Sequence, residues 1–261
     1  MLKKSILFNH LKLYDYEEDK RMIIYKEQIR QLKKFISGFD TKNEILYLYV
    51  DEKDQVYLVL FHDNHVYNNY LKLGETKEFE GTWELPNNNR LLKQWASKLR
   101  ISDHVELVIE RGGFTFKQTD AKGEYRQYHT TAYDTNILLG LDYFYSQCET
   151  EYVIEKRKLD ILRHYKKDYT CLSFEEGQLV YKFYNDDWKI YCKHIICDDN
   201  VNNGHCLITN QYFLKLLDKF HTTGNIRLWF DRDGPILIRH DDYIGVIAPR
   251  IQSLYDLEEL V

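Results

Sequence analysis

Cysteine, histidine and aspartate are the side chains of this sequence whose spacing could support metal binding or catalysis. One stretch holds five of the first two types, namely Cys192, His194, Cys197, His205 and Cys206. Their spacing matches no common zinc pattern, and alternation along a strand would send Cys192 and Cys197 to opposite faces. We therefore predict no metal site and no cofactor.

Three aspartate pairs, Asp186-Asp187, Asp198-Asp199 and Asp241-Asp242, could hold the metal ions of a nuclease. Each pair lies in a predicted turn, where acidic side chains are usually solvated. The sequence has no phosphate-binding glycine loop, no G-x-S-x-G elbow and no H-E-x-x-H helix. We predict a protein that is not an enzyme, and a metal-dependent nuclease is the alternative from another class.

The composition indicates an intracellular globular protein. The 261 residues are 44% hydrophobic and 30% charged, which is enough apolar material for a core. Five cysteines without a C-x-x-C pair argue against a disulfide framework and for a reducing compartment. Because no apolar run approaches the roughly 20 residues of a membrane span, we expect no membrane association.

Positive charge is concentrated on four predicted amphipathic helices, at residues 24–39, 88–100, 155–168 and 210–221. These helices hold 16 lysines and arginines but only 5 acidic residues, whereas the whole chain has a net charge of −5. The rest of the chain is therefore strongly acidic. Such segregation is the electrostatic footprint of a protein that binds a polyanion.

Within each helix the basic side chains share the face opposite the apolar residues, for example Ile29, Leu32 and Ile36 in the first helix. The predicted DNA-binding residues are Lys26, Arg30, Lys33, Lys34, Arg90, Lys93, Arg100, Lys156, Arg163, Lys167, Lys215 and Lys219. The alternative is that these are ordinary solvated helix faces. Because no helix carries a base-reading set of side chains, we expect contacts with phosphates only.

The two halves of the chain follow one plan, in which a basic helix, strands, a second basic helix and further strands succeed one another. Alternating segments such as 45–50, 56–61, 179–184 and 243–247 read as strands. This order predicts an α+β protein with two similar domains. The segment Ala132–Thr150 reads as the crossover between them.

The C-terminal half resembles the closing domain of DNA sliding clamps. The similarity rests on the helix Ile208–Leu217, the strands Ile226–Phe230 and Gly234–Ile238, and a last strand, Tyr243–Ile251, that ends in Ala-Pro-Arg-Ile. It resembles both proliferating cell nuclear antigen and the bacterial polymerase beta clamp. The resemblance in sequence motifs covers residues 150–251. Over residues 22–130 only the predicted order of helices and strands is similar.

The resemblance implies a two-domain clamp fold with antiparallel sheets outside and two basic helices per domain lining a central channel. The implied parts are an N-terminal clamp domain (1–131), a connecting segment (132–150), a C-terminal clamp domain (151–251) and an acidic tail (252–261). A homotrimer would encircle double-stranded DNA without sequence specificity and would tether DNA polymerase after placement by a clamp loader. Strands near Tyr125–His129 and Lys189–Ile195 would join the subunits. The alternatives are a monomeric clamp-like processivity factor and a subunit of a checkpoint hetero-ring.

By the same resemblance, peptides of polymerase and loader would bind an apolar pocket between the connecting segment and the last strand. The implied pocket residues are Leu138, Leu141, Pro235, Val246, Ala248, Pro249 and Ile251. The competing interpretation is that these residues, Val246 and Ala248 in particular, belong to the core.

Overall fold

The strands and helices of the chain form two consecutive series in the same order. A computed structural model describes residues 20–249 except 41, 63–65, 77–80, 85–88, 102–103, 111–112, 121, 124, 132, 135–139, 147, 149–150, 166–168, 185–188, 199–204, 220–223 and 232–233. None of the helices within these residues is long and apolar enough to cross a membrane.

In the part of the chain that the structure describes, the first series contains eight strands and two helices. They are β1 (Lys20–Ile24), α1 (Lys26–Ser37), β2 (Glu44–Val50), β3 (Gln55–His62), β4 (Tyr67–Glu75), β5 (Gly81–Glu84), α2 (Asn89–Ser97), β6 (Val105–Glu110), β7 (Gly113–Thr119) and β8 (Tyr125–Thr131). The connecting segment then adds a two-residue strand and a short helix. These are β9 (Tyr133–Asp134) and α3 (Leu141–Ser146).

The second series repeats the order of the first, with a 3₁₀ helix, η1, at the place of α1. Its elements are β10 (Glu151–Glu155), η1 (Lys156–Tyr165), β11 (Tyr169–Glu175), β12 (Gln178–Tyr184), β13 (Ile190–Asp198), β14 (His205–Thr209), α4 (Asn210–Lys219), β15 (Asn225–Trp229), β16 (Ile236–His240) and β17 (Tyr243–Ile247). The internal repeat predicted from the sequence is therefore present in the fold.

All strand pairings are antiparallel among the described residues, and they form three sheets. The sheet orders are β1-β6-β7-β8, then β10-β15-β16-β17-β4-β3-β2-β5-β9, then β13-β12-β11-β14. Within each series, the first strand pairs with the sixth, and the second with the third and the fifth. The mixed antiparallel fold with few helices agrees with the α+β prediction.

The long sheet is continuous across both series because β17 pairs with β4. The register runs from Tyr243 opposite Leu71 to Ile247 opposite Tyr67. The junction is extended at one end by the Ala248 amide, which donates to the Val66 carbonyl over 2.8 Å. The last strand of the second series thus closes onto the fourth strand of the first.

The two faces of the long sheet are covered differently. One face carries the main core, in which α1 buries Ile29, Leu32 and Ile36 as predicted. The other face carries a second apolar cluster that mixes both series with the connecting segment, whose Leu141 and Cys148 contribute to it. Helices therefore line the first face, and α3 covers part of the second.

Helix η1 differs from the α-helix predicted at 155–168. Apolar residues recur every three positions, at Leu159, Leu162 and Tyr165, and the first two are fully buried. A 3₁₀ helix has three residues per turn, so this spacing places all three on one face. Ile161, beside this face, is half-buried and also packs against the main core.

Candidate nucleic-acid interface

The basic residues of helices from both series approach one another on the helix face of the long sheet. Lys34 of α1 lies close enough to Lys156 of η1 that the second charge, together with the larger effect of partial burial, lowers the pKa of Lys34. Lys93 of α2 and Lys215 of α4 act in the same direction on Lys219, whose pKa is lowered mainly by burial. Like charges gathered in this way favour an anionic partner.

Helices α1 and α2 enclose a basic groove. Its volume is about 320 Å³, and its lining includes Arg30, Lys33, Lys34 and Lys93. Arg30 is exposed, and its bond to Glu27 is a surface ion pair of 3.2 Å that contributes little to stability. Arg30 can therefore turn to a phosphate without breaking a buried interaction.

Two lysines of this groove are half-buried, and their amines donate hydrogen bonds to backbone carbonyls. The Lys33 amine donates to the Leu99 carbonyl beyond the end of α2 over 2.6 Å, and the Lys93 amine donates to the Phe39 carbonyl beyond the end of α1 over 2.5 Å. Helix C-termini carry partial negative charge and unsatisfied carbonyls, so a nearby lysine is drawn to them. These two lysines fix the antiparallel packing of α1 on α2.

Lys219 departs from the expectation that it contacts DNA. It is only 9% exposed, and its amine donates to the Gly38 carbonyl after α1. The helical periodicity of the sequence could not reveal this contact, because the carbonyl belongs to the other series. Lys219 is a structural link between α4 and α1.

The remaining predicted residues lie on exposed or half-buried positions of the described chain. Lys26, Arg90, Arg100 and Lys215 are exposed, and Lys156 and Arg163 are half-buried. Arg100 pairs with Asp120 over 3.7 Å, and Arg163 with Asp218 over 2.6 Å. Lys167 lies outside the described residues.

Sequence reasoning passed over two basic residues of η1. Arg157 and Lys158 are both exposed. In an α-helix they would not lie on the same face as Lys156 and Arg163. A 3₁₀ helix has three residues per turn, so in η1 different positions share a face. They add positive charge beside Lys156.

The position of η1 depends on a buried asparagine. Asn210, the first residue of α4, is fully buried and donates to the carbonyls of Leu162 and Tyr165 over 2.8 and 2.5 Å. These carbonyls lie at the C-terminal end of η1, and the last carbonyls of a helix generally need donors from outside it. The asparagine therefore holds one basic helix against the next.

Replacing Asn210 is expected to loosen this arrangement. Asn210→Ala removes the donor of both hydrogen bonds, one of which is fully buried, so the free energy of unfolding should fall by about 2 kcal/mol. Urea denaturation followed by circular dichroism measures the change. The matched control is Gln211→Ala, which alters the next, exposed residue and should leave the denaturation midpoint in place; equal losses in both variants would contradict the capping role.

The residues implied for the peptide pocket are brought together only in part. Leu141 and Val246 belong to the same buried cluster on the face opposite the basic helices. Pro235 and Pro249 are half-buried and Ala248 is exposed, and the Pro235 carbonyl accepts a bond from the Cys148 thiol over 3.1 Å. The remaining pair, Leu138 and Ile251, lie outside the described residues.

The metal-like cysteine and histidine stretch is split between two separated strands. Cys192 and His194 lie on β13, whereas His205 and Cys206 lie on β14. The sheet order places β12 and β11 between these strands. Within the described parts of the chain, no three His, Cys, Asp or Glu residues are grouped so that they could hold a metal ion.

Comparison with solved structures shows the fold of the bacterial beta clamps. The chain superposes on a putative DNA polymerase III beta subunit from Eubacterium rectale with a TM-score of 0.65 at 13% identity, covering 94% of this chain and 68% of that one. For DNA polymerase III subunit beta from Borrelia burgdorferi, the TM-score is 0.64 at 16% identity, with coverages of 94% and 67%. The DNA polymerase sliding clamp from Pseudomonas aeruginosa gives 0.65 at 13% identity, with coverages of 91% and 68%.

No protein-family model matches the sequence, and no curated protein matches it. The chain thus has the sliding-clamp fold predicted from its last hundred residues, and the fold extends over both series.

Proposed function

We propose that this chain, which has the fold of DNA sliding clamps, is a processivity factor that encircles double-stranded DNA and holds replication proteins to it. The observation that carries the proposal is the meeting of basic helices from both series on one face, where Lys34 lies close enough to Lys156 for its pKa to be lowered by that charge in addition to partial burial. A duplex carries one negative charge per roughly 1.7 Å of its axis, so this face suits its backbone without reading its sequence.

The proposed phosphate contacts are the predicted residues whose side chains reach the surface. They are Lys26, Arg30, Lys34, Arg90, Arg100, Lys156, Arg163 and Lys215. Lys33 and Lys93 add positive potential while holding the helices together. Since such contacts are weak and independent of sequence, the protein can slide while the closed ring prevents its loss.

The proposed ring closure uses the internal repeat. Within the chain, β17 of the second series pairs with β4 of the first. By the repeat, β8 of the first series is equivalent to β17, and β13 of the second series is equivalent to β4. Both β8 and β13 lie at the edge of a sheet. If β8 of one copy pairs with β13 of the next, the same junction is repeated and no edge of this kind remains exposed.

Strand β13 carries two large apolar side chains at the surface. Ile190 is 47% exposed and Ile195 is 58% exposed. An exposed apolar edge strand is an aggregation hazard that proteins usually protect. Pairing with a second copy would cover it, and three copies would place six repeats around the channel in the proposed homotrimer.

The second apolar cluster, on the face of the long sheet that α3 partly covers, is the proposed binding surface for polymerase and clamp-loader peptides. It lies on the face away from the basic helices, so a bound protein would not compete with DNA. Leu141 and Val246 form its buried floor, and Ala248, Pro235 and Pro249 offer partly accessible apolar surface beside them. In this proposal the chain acts inside the cell as a scaffold and catalyses no reaction.

The topological part of the proposal is tested by retention on DNA. After loading onto a nicked circle with the clamp loader of the same source, the protein should remain bound through gel filtration. Cutting the circle should release it at least about tenfold faster, because weak phosphate contacts alone do not hold it. Blocking the cut ends with bound protein should restore retention. Equal retention on open linear and circular DNA would instead favour a monomeric factor that binds by charge.

A further inference from the structure

Cys192, His194 and Tyr165 form a closed cluster of polar side chains at the margin of the core. The Cys192 sulfur lies 3.0 Å from Nε2 of His194. The Tyr165 hydroxyl lies 3.3 Å from that sulfur and 3.4 Å from the same Nε2. Each group is therefore within hydrogen-bonding reach of the other two.

The strand geometry fixes this cluster. Cys192 and His194 are two residues apart on β13, so their side chains share one face of the strand, and Tyr165 ends η1 on that side. Phe183 lies opposite Cys192 in the β12 pairing, and its ring centroid is 3.9 Å from that of Tyr165 and 5.7 Å from the His194 ring. These aromatic contacts hold the imidazole and the hydroxyl beside the sulfur.

The surroundings of the thiol leave few competing charges. Among the described residues, the titratable side chains within hydrogen-bonding distance of the Cys192 sulfur are His194 and Tyr165. Lys193 points to the opposite face of β13, where it pairs with Glu175 over 2.7 Å, and Glu175 also binds Lys182. The cluster is half-buried, so a small reagent can reach it.

Other cysteines have different environments. Burial, and secondarily the charge of Asp231, raises the pKa of the Cys148 thiol to about 12. That thiol and the fully buried Cys206 thiol bond to the carbonyls of Pro235 and Gly234 over 3.1 and 3.2 Å. Neither arrangement favours a thiolate, which is the reactive form of cysteine.

We propose that Cys192 is a modification site, a thiol activated by His194 and oriented by Tyr165 that reacts with hydroperoxides and soft electrophiles. A nucleophile within reach of a base that is itself held by a third group is the usual signature of such activation. Nε2 of His194 takes the thiol proton, and the Tyr165 hydroxyl donates a hydrogen bond to the resulting thiolate.

The oxidation is balanced by the peroxide. The thiolate attacks one oxygen of the hydroperoxide, a sulfur–oxygen bond forms, and the oxygen–oxygen bond breaks. Sulfur loses two electrons and becomes sulfenic acid, while the hydroperoxide is reduced to an alcohol, or to water from hydrogen peroxide. The proton held by the imidazole goes to the leaving oxygen. With an alkylating electrophile such as iodoacetamide, the same thiolate forms a sulfur–carbon bond while the carbon–iodine bond breaks and iodide leaves, with no change in the oxidation state of sulfur.

The test measures the reaction of each cysteine in the intact chain. Iodoacetamide labelling, quantified by mass spectrometry, should modify Cys192 about tenfold faster than Cys148 and Cys206 at neutral pH. His194→Gln should remove most of this advantage. The control is His205→Gln on β14, which should leave the Cys192 rate unchanged. Trapping with dimedone after hydrogen peroxide treatment should mark Cys192 first.

In the proposed ring, a second copy pairs with β13 and would restrict access to the Cys192 thiol. The labelling rates are therefore also measured in the Ile195→Asp chain, in which this pairing is expected to be lost. The side chain of residue 195 lies on the face of β13 opposite Cys192. The decisive comparison is between the Ile195→Asp chain and the same chain that also carries His194→Gln, both shown to be folded by circular dichroism. Equal labelling of Cys192 in these two chains overturns the proposal. The chemistry is independent of the proposed ring, because the labelling ratio is read within one chain.

Discussion

Ile195→Asp is expected to convert the proposed ring into monomers while each chain stays folded. Ile195 is 58% exposed on the edge strand β13, so the substitution costs the isolated chain little. In the ring, the carboxylate would lie at the junction with β8, where it would lose water and meet no described partner. Burying such a charge costs several kcal/mol, so about 3 kcal/mol per junction, or more than a hundredfold in the dissociation constant, is expected.

Sedimentation velocity across a range of concentrations measures the change in mass. Val153→Asp is a matched control, because Val153 is 59% exposed on β10, an edge strand that has no role in the proposed junction. It should leave the trimer intact. A trimer that survives Ile195→Asp removes β13 from the interface, and an unaltered chain that is monomeric at all concentrations supports either a monomeric factor or a hetero-ring subunit.

The double reversal Arg30→Glu with Lys34→Glu is expected to abolish measurable DNA binding. Both residues line the groove between α1 and α2, and Lys34 lies beside Lys156 of η1. In a trimer, the two changes remove six positive side chains from the channel and add six negative ones. Because each phosphate contact contributes about −0.9 to the salt slope of the affinity, we expect a loss of about a thousandfold and a much flatter salt dependence.

Fluorescence anisotropy with a duplex of about 30 base pairs, between about 50 and 200 mM salt, measures both quantities. The control reverses the same amount of charge on the opposite face of the sheet, with Arg227→Glu and Arg239→Glu. These two exposed arginines lie directly opposite each other on β15 and β16, and they alternate with core residues such as Leu228 and Ile238. Equal losses in the two double variants would show a general charge effect and contradict a DNA-binding helix face.

The elements that the sequence located correctly are those with a strong local period. Helix α1 was predicted from Ile29, Leu32 and Ile36, and strands such as β3 and β17 from uninterrupted apolar or alternating residues. In each case the pattern and the buried face belong to one short segment, so no distant contact is needed to recognise it.

Strand β4 was missed, although it forms the junction between the two series. Its polar residues Asn68 and Asn69 interrupt the alternation, yet both are buried, because β17 and β3 pair with it on either side. Helix α3 was likewise missed within a segment that has no clear period. Its Leu141 is buried by residues of both series, which the local sequence does not show.

The candidate DNA-binding site divides in the same way. Sequence alone determined that positive charge collects on helices backed by apolar stripes, because both features repeat along each helix. The tertiary structure decided which of these charges can reach a phosphate. The Lys219 amine donates a hydrogen bond to the Gly38 carbonyl. The Lys33 and Lys93 amines donate to carbonyls at the ends of neighbouring helices.

The sequence therefore determined the two-part α+β plan, the core stripes and the separation of charge, all of which are local or additive properties of the chain. Only the tertiary structure decided that β17 closes onto β4, that β8 and β13 remain as sheet edges, and that Cys192 meets His194 and Tyr165. These outcomes depend on strand pairing and helix packing between segments far apart in the chain, and a period read along one segment cannot specify its partner.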